Sequence, residues 1–195
     1  MAKNGQRALR QGMLTGLGAF FLALVVNFGS QGLLSSLTSI ILSFLLLLVI
    51  ILVGIIFDVV GVATTAAKEA PFHARAARKQ VGARQAIQLI RHADRVASFC
   101  NDVVGDVAGT LSGAVGAVMV TRLVAGGMPA PELWLSTVMI AGVAALTIGG
   151  KAFAKGFAIR EAEAIVYRVG YVLALVEVHL GLRLWQDNHK RGRKT

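Results

Sequence analysis

The segment that decides the predicted fold is DRVASFCNDVVGDVAGTLSGAVGAVMVTR, residues 94–122. It is long and apolar enough to cross a membrane as a helix, yet it carries two carboxylates, Asp102 and Asp106, one helical turn apart. A charged side chain inside hydrocarbon is costly, so an acid within a span indicates a functional site. The function of the chain therefore depends on what lies beside these two acids.

Three glycines occur at four-residue spacing in the same segment: Gly105, Gly109 and Gly113. This spacing places them close together on the helix surface and lets another helix approach closely. Close packing within one protomer and the seam of a homodimer both explain such a surface, and the sequence leaves both open.

The composition is that of a multi-pass membrane protein. Of the 195 residues, 55% are hydrophobic and 15% are charged, and the mean hydropathy is +0.68. Soluble domains carry about 25% charged residues. The net charge of +10 comes from short basic blocks between apolar runs, which the positive-inside rule explains better than nucleic-acid binding does. The single cysteine, Cys100, excludes an internal disulfide and is interpreted as a small apolar residue.

Four membrane spans are predicted, at residues 12–29, 33 to about 67, 97–123 and 133–157. The second contains 25 uncharged residues, 33–57, which make about 37 Å of helix against a hydrocarbon layer of roughly 30 Å. The short linker 30–32 predicts a hairpin of the first two spans. The first span also has the basic start and apolar body of a signal peptide, but no A-x-A-like cleavage site follows, which favours a retained span.

The segment 68–95 carries seven basic residues and two acids, and the positive-inside rule places it in the cytosol. Pro71 ends one helix or begins another. From Ala83 the sequence ARQAIQLIRHADR alternates apolar and basic residues at helical spacing, which predicts an amphipathic helix at the membrane surface. His73 and His92 are interpreted as part of this basic belt, because no second ligand follows at metal-site spacing.

The last apolar segment, residues 164–182, is long enough to span, but crossing would carry the basic tail HKRGRKT outward. An interfacial or re-entrant helix on the cytosolic side keeps nineteen of the twenty lysines and arginines inside and is favoured. The exception, Arg122, is expected to snorkel to the outer surface. The tail, 187–195, is expected to touch anionic headgroups. Both termini then lie in the cytosol, at a bacterial-type inner membrane.

The predicted fold is an all-α polytopic membrane protein with about four transmembrane helices and cytosolic juxtamembrane amphipathic helices. It divides into an N-terminal two-span hairpin (1–67), basic juxtamembrane helices (68–95), a second hairpin with the acidic, glycine-rich helix (96–158), and an interfacial helix with a basic tail (159–195). No polar segment is long enough to build a separate soluble core.

Three acids are predicted to lie near the cytosolic mouth of the bundle. Asp58 comes shortly before the second span leaves the membrane and Asp102 shortly after the third enters it, so both lie at about the same depth, with Asp106 about 6 Å deeper. Asp102, Asp106 and Thr110 share one helix face, and Asn101 flanks it. Such oxygen ligands suit magnesium, which keeps several waters and takes one or two carboxylates. Asn101, Asp102, Asp106 and Asp58 are therefore the candidate metal ligands.

A purely structural interpretation uses the same acids. Lys151 and Lys155 mark the inner end of the fourth span and lie four residues apart on one helical face. Ion pairs from these lysines to Asp58 and Asp102 would lock the helices together without any bound cation. The sequence leaves both interpretations open.

These motifs resemble the transmembrane domain of the CorB/CorC/CNNM magnesium transporters. In that family a proline–acid–basic step precedes a helix that begins G-N-N; here A-D-R (93–95) precedes C-N-D (100–102). The family's G-E-x-x-P-K-x-x-A and following amphipathic helix are similar to GKAFAKGFA (150–158) and IREAEAIV, and its S-E-x-A is similar to AKEA (67–70). The resemblance covers about residues 60–184.

The resemblance implies a homodimer with a cytosolic juxtamembrane belt and a magnesium site held by polar groups of the spans. The two asparagines of the family motif correspond to Asn101 and Asp102. Lys151 stands where the family has glutamate and Ala154 where it has proline, and the chain is expected to lack the family's CBS and C-terminal cytosolic modules. A lysine in place of an acid repels a cation, whereas Asp102 and Asp106 would restore negative charge.

The sequence thus predicts an integral membrane protein of divalent-cation (magnesium) transport or homeostasis, with the ion at a cytosol-facing polar site between spans. The expected partners are the lipid bilayer, a second copy of the chain and another membrane or cytosolic subunit, and not nucleic acid. The chain shows no nucleophile constellation and is expected not to be an enzyme. The alternative is a non-transporting scaffold or accessory subunit that kept the transporter-like fold, and Lys151 favours it.

Overall fold

The computed structural model of the chain describes residues 2–36 and 39–180, and over these ranges it is helical and contains no β-strand. The helices are α1 (Ala2–Ser36), α2 (Ile40–Ala66), α3 (Ala70–Ala77), α4 (Ala83–Arg91), α5 (Ala93–Ala97), α6 (Asp106–Ala125), α7 (Glu132–Arg160) and α8 (Ala162–Leu180). A π-helical segment, Ser98–Gly105, joins α5 to α6 without a break.

Four of these helical stretches are long and apolar enough to cross a membrane: Gly12–Gly32 within α1, α2, the continuous helix Ala93–Ala125, and α7. They confirm the predicted all-α, multi-pass membrane fold. α8 is not among them, and it packs along α4 and α2 instead. The predicted basic tail, 187–195, lies outside the described residues.

The junction of the first two spans differs from the prediction. α1 continues through the predicted linker at residues 30–32, and α2 begins at Ile40 rather than at residue 33. No proline interrupts the helix there, and the side chains of Ser30 and Gln31 hydrogen-bond back to Asn27, the first to its carbonyl and the second to its side-chain oxygen. Small polar residues that bond within their own helix do not end it.

α2 is the centre of the bundle and packs against α6 and α7, which also pack against each other. Their shared apolar core consists of Leu47, Ile51, Val115, Met119 and Val143. Small residues bring α2 and α6 close together: a methyl group added to Gly54 would lie 2.9 Å from the Cβ of Ala108. Towards the other end of the contact, Arg122 of α6 donates a hydrogen bond to Ser43 Oγ of α2, at 3.3 Å.

The short helices α3 and α4 pack with α8 around the end of α2 at Ala66, and we call this end of the bundle the base. A second apolar core holds it together: Ala63, Phe72, Ala86, Leu89, Ala158 and Val166. Pro71 lies in the first turn of α3, so it begins a helix rather than ending one. The guanidinium of Arg75 lies 4.6 Å from the centre of the Tyr167 ring, which ties α3 to α8.

α4 and α8 meet at an unusually close contact. Gly82 precedes α4 with a φ of 86°, a left-handed conformation that favours glycine. A methyl group added to Gly82 would lie 2.6 Å from the backbone of Tyr171, and one added to Gly170 would lie 2.6 Å from the carbonyl oxygen of Gly82. These two glycines therefore fix α8 beside the basic helix α4.

Large apolar side chains cover the outer surface of the spans. Ile41 of α2 and Leu133 of α7 are each 76% exposed, and Phe153 of α7 is 88% exposed. A soluble protein rarely shows such a continuous apolar surface, whereas lipid tails cover it in a membrane. α1 contacts α6 and the π-helical segment, and most of its described side chains are exposed.

Candidate functional site

A polar cluster lies inside the bundle. Asp58 of α2 is only 5% exposed, and its Oδ1 lies 3.9 Å from Nζ of Lys151 on α7. Asn101 of the π-helical segment packs its side-chain amide directly against Gly61 of α2, into space that a methyl group at that glycine would occupy. We call Asp58, Asn101 and Lys151 the interior cluster. It lies between the two apolar cores, because Asp58 falls between Ile51 and Ala63 along α2.

Glycines make room for this cluster. Gly61 lies one turn after Asp58 and receives the amide of Asn101. Gly105 lies under the side chain of Lys151: a methyl group there would be 3.1 Å from Nζ and 3.3 Å from the carbonyl oxygen of Cys100. Gly105 therefore packs within the protomer, and its lack of a side chain lets Lys151 reach across to α2.

The π-helical segment carries two adjacent polar side chains that differ in burial. Eight residues in this conformation are unusual, since π-helical turns are rare and occur often at functional sites. The Oδ1 atom of Asn101 is buried, while the neighbouring Asp102 is exposed. One residue of the pair thus belongs to the interior and the other to the outer surface.

Two oxygen atoms of the interior cluster are buried and accept no hydrogen bond from residues 2–36 or 39–180: Oδ2 of Asp58 and Oδ1 of Asn101. The ammonium of Lys151, at 3.9 Å from the other carboxylate oxygen, is also too far away for a hydrogen bond. A buried acceptor left without a donor costs on the order of 1–3 kcal/mol, and more when it is charged. Either a hydrogen-bond donor or a bound cation would satisfy these oxygens.

Asp102 and Asp106 lie on the other side of their helix. Both are exposed, and so is Thr110, one turn further along. Gly109 and Gly113 lie on the same side, where an added methyl group would meet no atom within 4 Å. Within the described part of the chain neither acid forms an ion pair. We call these five residues the outer acid face.

The structure thus divides the four predicted metal ligands into two pairs, with Asp58 and Asn101 inside and Asp102 and Asp106 outside. Among the described residues no three His, Cys, Asp or Glu side chains come together as a metal-binding group. Lys151 pairs with Asp58, whereas Lys155 is exposed and has no ion pair within 2–36 and 39–180.

Sequence reasoning overlooked two glycines of α2 that flank Asp58. Gly54 and Gly61 lie one turn before and one turn after Asp58, in a span that is otherwise large and apolar. Small residues on both sides of an intramembrane acid indicate a close approach of a neighbouring helix, so this signal was present in the sequence. Cys100, in contrast, is buried and free, as a small apolar residue would be.

The fold and the interior cluster define an all-α, multi-pass membrane protein in which a buried acid of one span pairs with a partly buried lysine of another. No protein-family model, curated protein or solved structure matches the chain significantly.

Proposed function

We propose that the chain binds a divalent cation, magnesium first, at the interior cluster and transports or senses it. The observation that carries this proposal is the pair of buried oxygens without donors, Oδ2 of Asp58 and Oδ1 of Asn101. Magnesium keeps several waters and takes one or two carboxylates, so one carboxylate and one amide oxygen are a suitable protein contribution. The resemblance to the CorB/CorC/CNNM transporters, which also points to Asn101, supports the same site.

Lys151 would compete with the ion. Its ammonium lies 3.9 Å from Asp58 and supplies the positive charge that the buried carboxylate needs when no metal ion is bound. An arriving cation repels this ammonium, and the flexible lysine stem allows it to move away. Ion binding would then exchange one positive charge for another, and it would change the contact between α2 and α7.

We also propose that the base faces the cytosol. The connection from α2 to α5, residues 67–92, carries six lysines and arginines and one acid, whereas the connection from α6 to α7, residues 126–131, carries no charge; basic segments of this kind stay on the cytosolic side. In this orientation Asp58 lies eight residues, about 12 Å along the helix, from the cytosolic end of α2 at Ala66. The interior cluster would then be reached from the cytosol, at a bacterial-type inner membrane.

Magnesium flux into lipid vesicles tests the proposal. The full chain is reconstituted with a magnesium-sensitive dye inside, and Asp58→Asn and Asn101→Ala are compared with the double variant Asp102→Asn/Asp106→Asn. Flux should fall about tenfold or more in the first two variants and change less than about twofold in the double variant. Wild-type protein that gives neither flux nor a magnesium-dependent shift in thermal unfolding would rule the proposal out.

A second candidate function is a scaffold or accessory subunit. The observation that favours it is the Asp58–Lys151 pair itself, which neutralises the acid without an ion. The outer acid face then becomes the docking surface, for a second copy of the chain or for another membrane subunit, because Gly109 and Gly113 leave it open. Cross-linking in native membranes distinguishes the two functions: a subunit remains bound to one fixed partner and gives no flux alone.

A further inference from the structure

An apolar groove of about 510 Å³ lies near the base, and none of its lining residues belongs to the interior cluster. Ile56 and Val60 of α2 form one wall, Phe99 of the π-helical segment another, and Leu173 of α8 a third. The rim is open, since Ile56 is 51% exposed and Phe99 is 52% exposed. The volume is within the range of about 300–1,000 Å³ that small-molecule sites occupy.

The groove has one charged group, the guanidinium of Arg95. Arg95 is exposed, and no carboxylate among the described residues forms an ion pair with it. The other lining residues are Ile, Val, Leu, Phe and Cys, so the walls cannot bind a polar molecule along its length. A ligand that fits is therefore apolar over most of its length and anionic at one end.

The position of the groove matches this chemistry. Ile56 and Val60 lie about 15 Å and 9 Å along the helix from the end of α2 at Ala66, so the apolar walls lie within a membrane span. Arg95 lies near the start of the next candidate span, Ala93–Ala125, where a helix enters the membrane. The groove thus runs from the level of lipid headgroups into the level of lipid tails.

We propose that the groove binds one anionic phospholipid of the surrounding bilayer, with an acyl chain between α2 and α8 and the phosphate on Arg95. An arginine suits this role because its planar guanidinium donates two parallel hydrogen bonds to a phosphate. The bound lipid would fill the space beside the π-helical segment and support its conformation.

Tryptophan quenching by brominated lipids tests the site in the reconstituted full chain. The two natural tryptophans are first replaced, by Trp134→Phe and Trp185→Phe. Phe99→Trp then reports on the groove, and Phe153→Trp reports on ordinary lipid contact, because Phe153 lies on an exposed face of α7. Each reporter is titrated with brominated phosphatidylglycerol and with brominated phosphatidylcholine.

At Phe99→Trp the relative binding constant should favour phosphatidylglycerol by about fivefold, and at Phe153→Trp the two lipids should quench alike. Adding Arg95→Gln should abolish the preference at the groove, whereas Arg84→Gln, an exposed arginine of α4, should leave it. An equal preference at both reporters, a preference that survives Arg95→Gln, or a groove reporter shielded from both lipids would each overturn the proposal. Circular dichroism and gel filtration of every variant confirm that it is folded.

Discussion

Asp58 and Asp102 are both acids near the base end of a membrane span, yet the first is buried and the second is exposed. Asp58 is buried against Lys151, with one oxygen left without a donor. Asp102 is exposed, on a side where a methyl group added to Gly109 or Gly113 would lie more than 4 Å from the atoms of the described neighbouring residues. The difference arises from packing: glycines on α2 let a neighbouring helix approach closely beside Asp58, whereas the side chains of Asp102, Asp106 and Thr110 are exposed.

The sequence alone places Asp58, Asp102 and Asp106 in one candidate site. Their different burial instead assigns the proposed ion binding to Asp58 and the proposed assembly to Asp102 and Asp106. A buried acid with an incomplete set of partners can exchange ligands, which is what a cation site requires. An exposed acid beside open glycines can contribute to an interface, where a second helix supplies the missing contacts. Ion handling and assembly can therefore be tested by separate substitutions.

The largest expected difference between the two groups of acids is in stability. Asp58→Asn removes the counter-charge of Lys151, whose side chain is 20% exposed, and the loss should be about 3 kcal/mol of unfolding free energy, the low end for a buried pair. The variant Asp102→Asn/Asp106→Asn should change it by less than about 0.5 kcal/mol. Unfolding in mixed micelles with increasing sodium dodecyl sulfate measures both.

The double variant Asp58→Asn/Lys151→Met provides the control, because it removes both charges of the pair. It should recover a large part of the stability lost in Asp58→Asn alone. If the single and the double variant lose the same unfolding free energy, the charge of Lys151 is not stabilised by Asp58.

The next largest effect on stability is expected from adding a methyl group to a glycine, either inside the bundle at Gly61 or on the outer acid face at Gly109. Gly61→Ala places carbon where the amide of Asn101 lies, and should cost about 1–3 kcal/mol. Gly109→Ala meets open space, and should change stability by less than about 0.5 kcal/mol. The same unfolding assay applies, and adding Asn101→Ala to Gly61→Ala should relieve part of the cost. A cost at Gly109 equal to that at Gly61 would mean that the outer acid face is covered within the protomer.

The sequence predicts the membrane spans better than the direction of the side chains on them. The spans depend on the length of apolar runs alone, so all four were predicted. The end of α1 was not, because Ser30 and Gln31 resemble a linker but bond within their own helix. The division between Asn101 and Asp102 lies within the π-helical segment, whose backbone bonds no residue type specifies.

A smaller effect is expected on assembly. If the outer acid face is the seam of a homodimer, Gly109→Leu/Gly113→Leu should weaken dimerisation about tenfold. Energy transfer between labelled protomers in vesicles measures it, and the unfolding free energy of the protomer should not change. The matched control is Gly142→Leu/Gly149→Leu on α7, whose two positions are equally open. If only the control variant dimerises more weakly, the dimer interface lies on α7. If the wild type shows no energy transfer, the chain is a monomer.

The smallest effect concerns a third acid, Glu69, which joins α2 to α3 outside the spans. Its carboxylate accepts a hydrogen bond from Nε of Arg91 at 2.8 Å, and its Oε1 lies 2.9 Å from Nε2 of His73. Burial raises the pKa of this carboxyl, but the hydrogen bonds and charges of Arg91 and His73 together lower the pKa below its ordinary value of 4.5. Unlike Asp58, Glu69 is therefore well supplied with donors.

A lowered pKa sets the direction of the pH dependence. The stabilisation from Glu69 is fully present above pH 4.5, the ordinary value, and is lost as the pH falls through the lower pKa of the folded state. The melting temperature of the wild type should exceed that of Glu69→Gln near neutral pH, and the difference should shrink below pH 4.5. Glu163→Gln, at an exposed position of α8, is the control and should show no such pH-dependent difference. If the difference in melting temperature persists at the lowest pH, the negative charge of Glu69 is not what stabilises the α2–α3 connection.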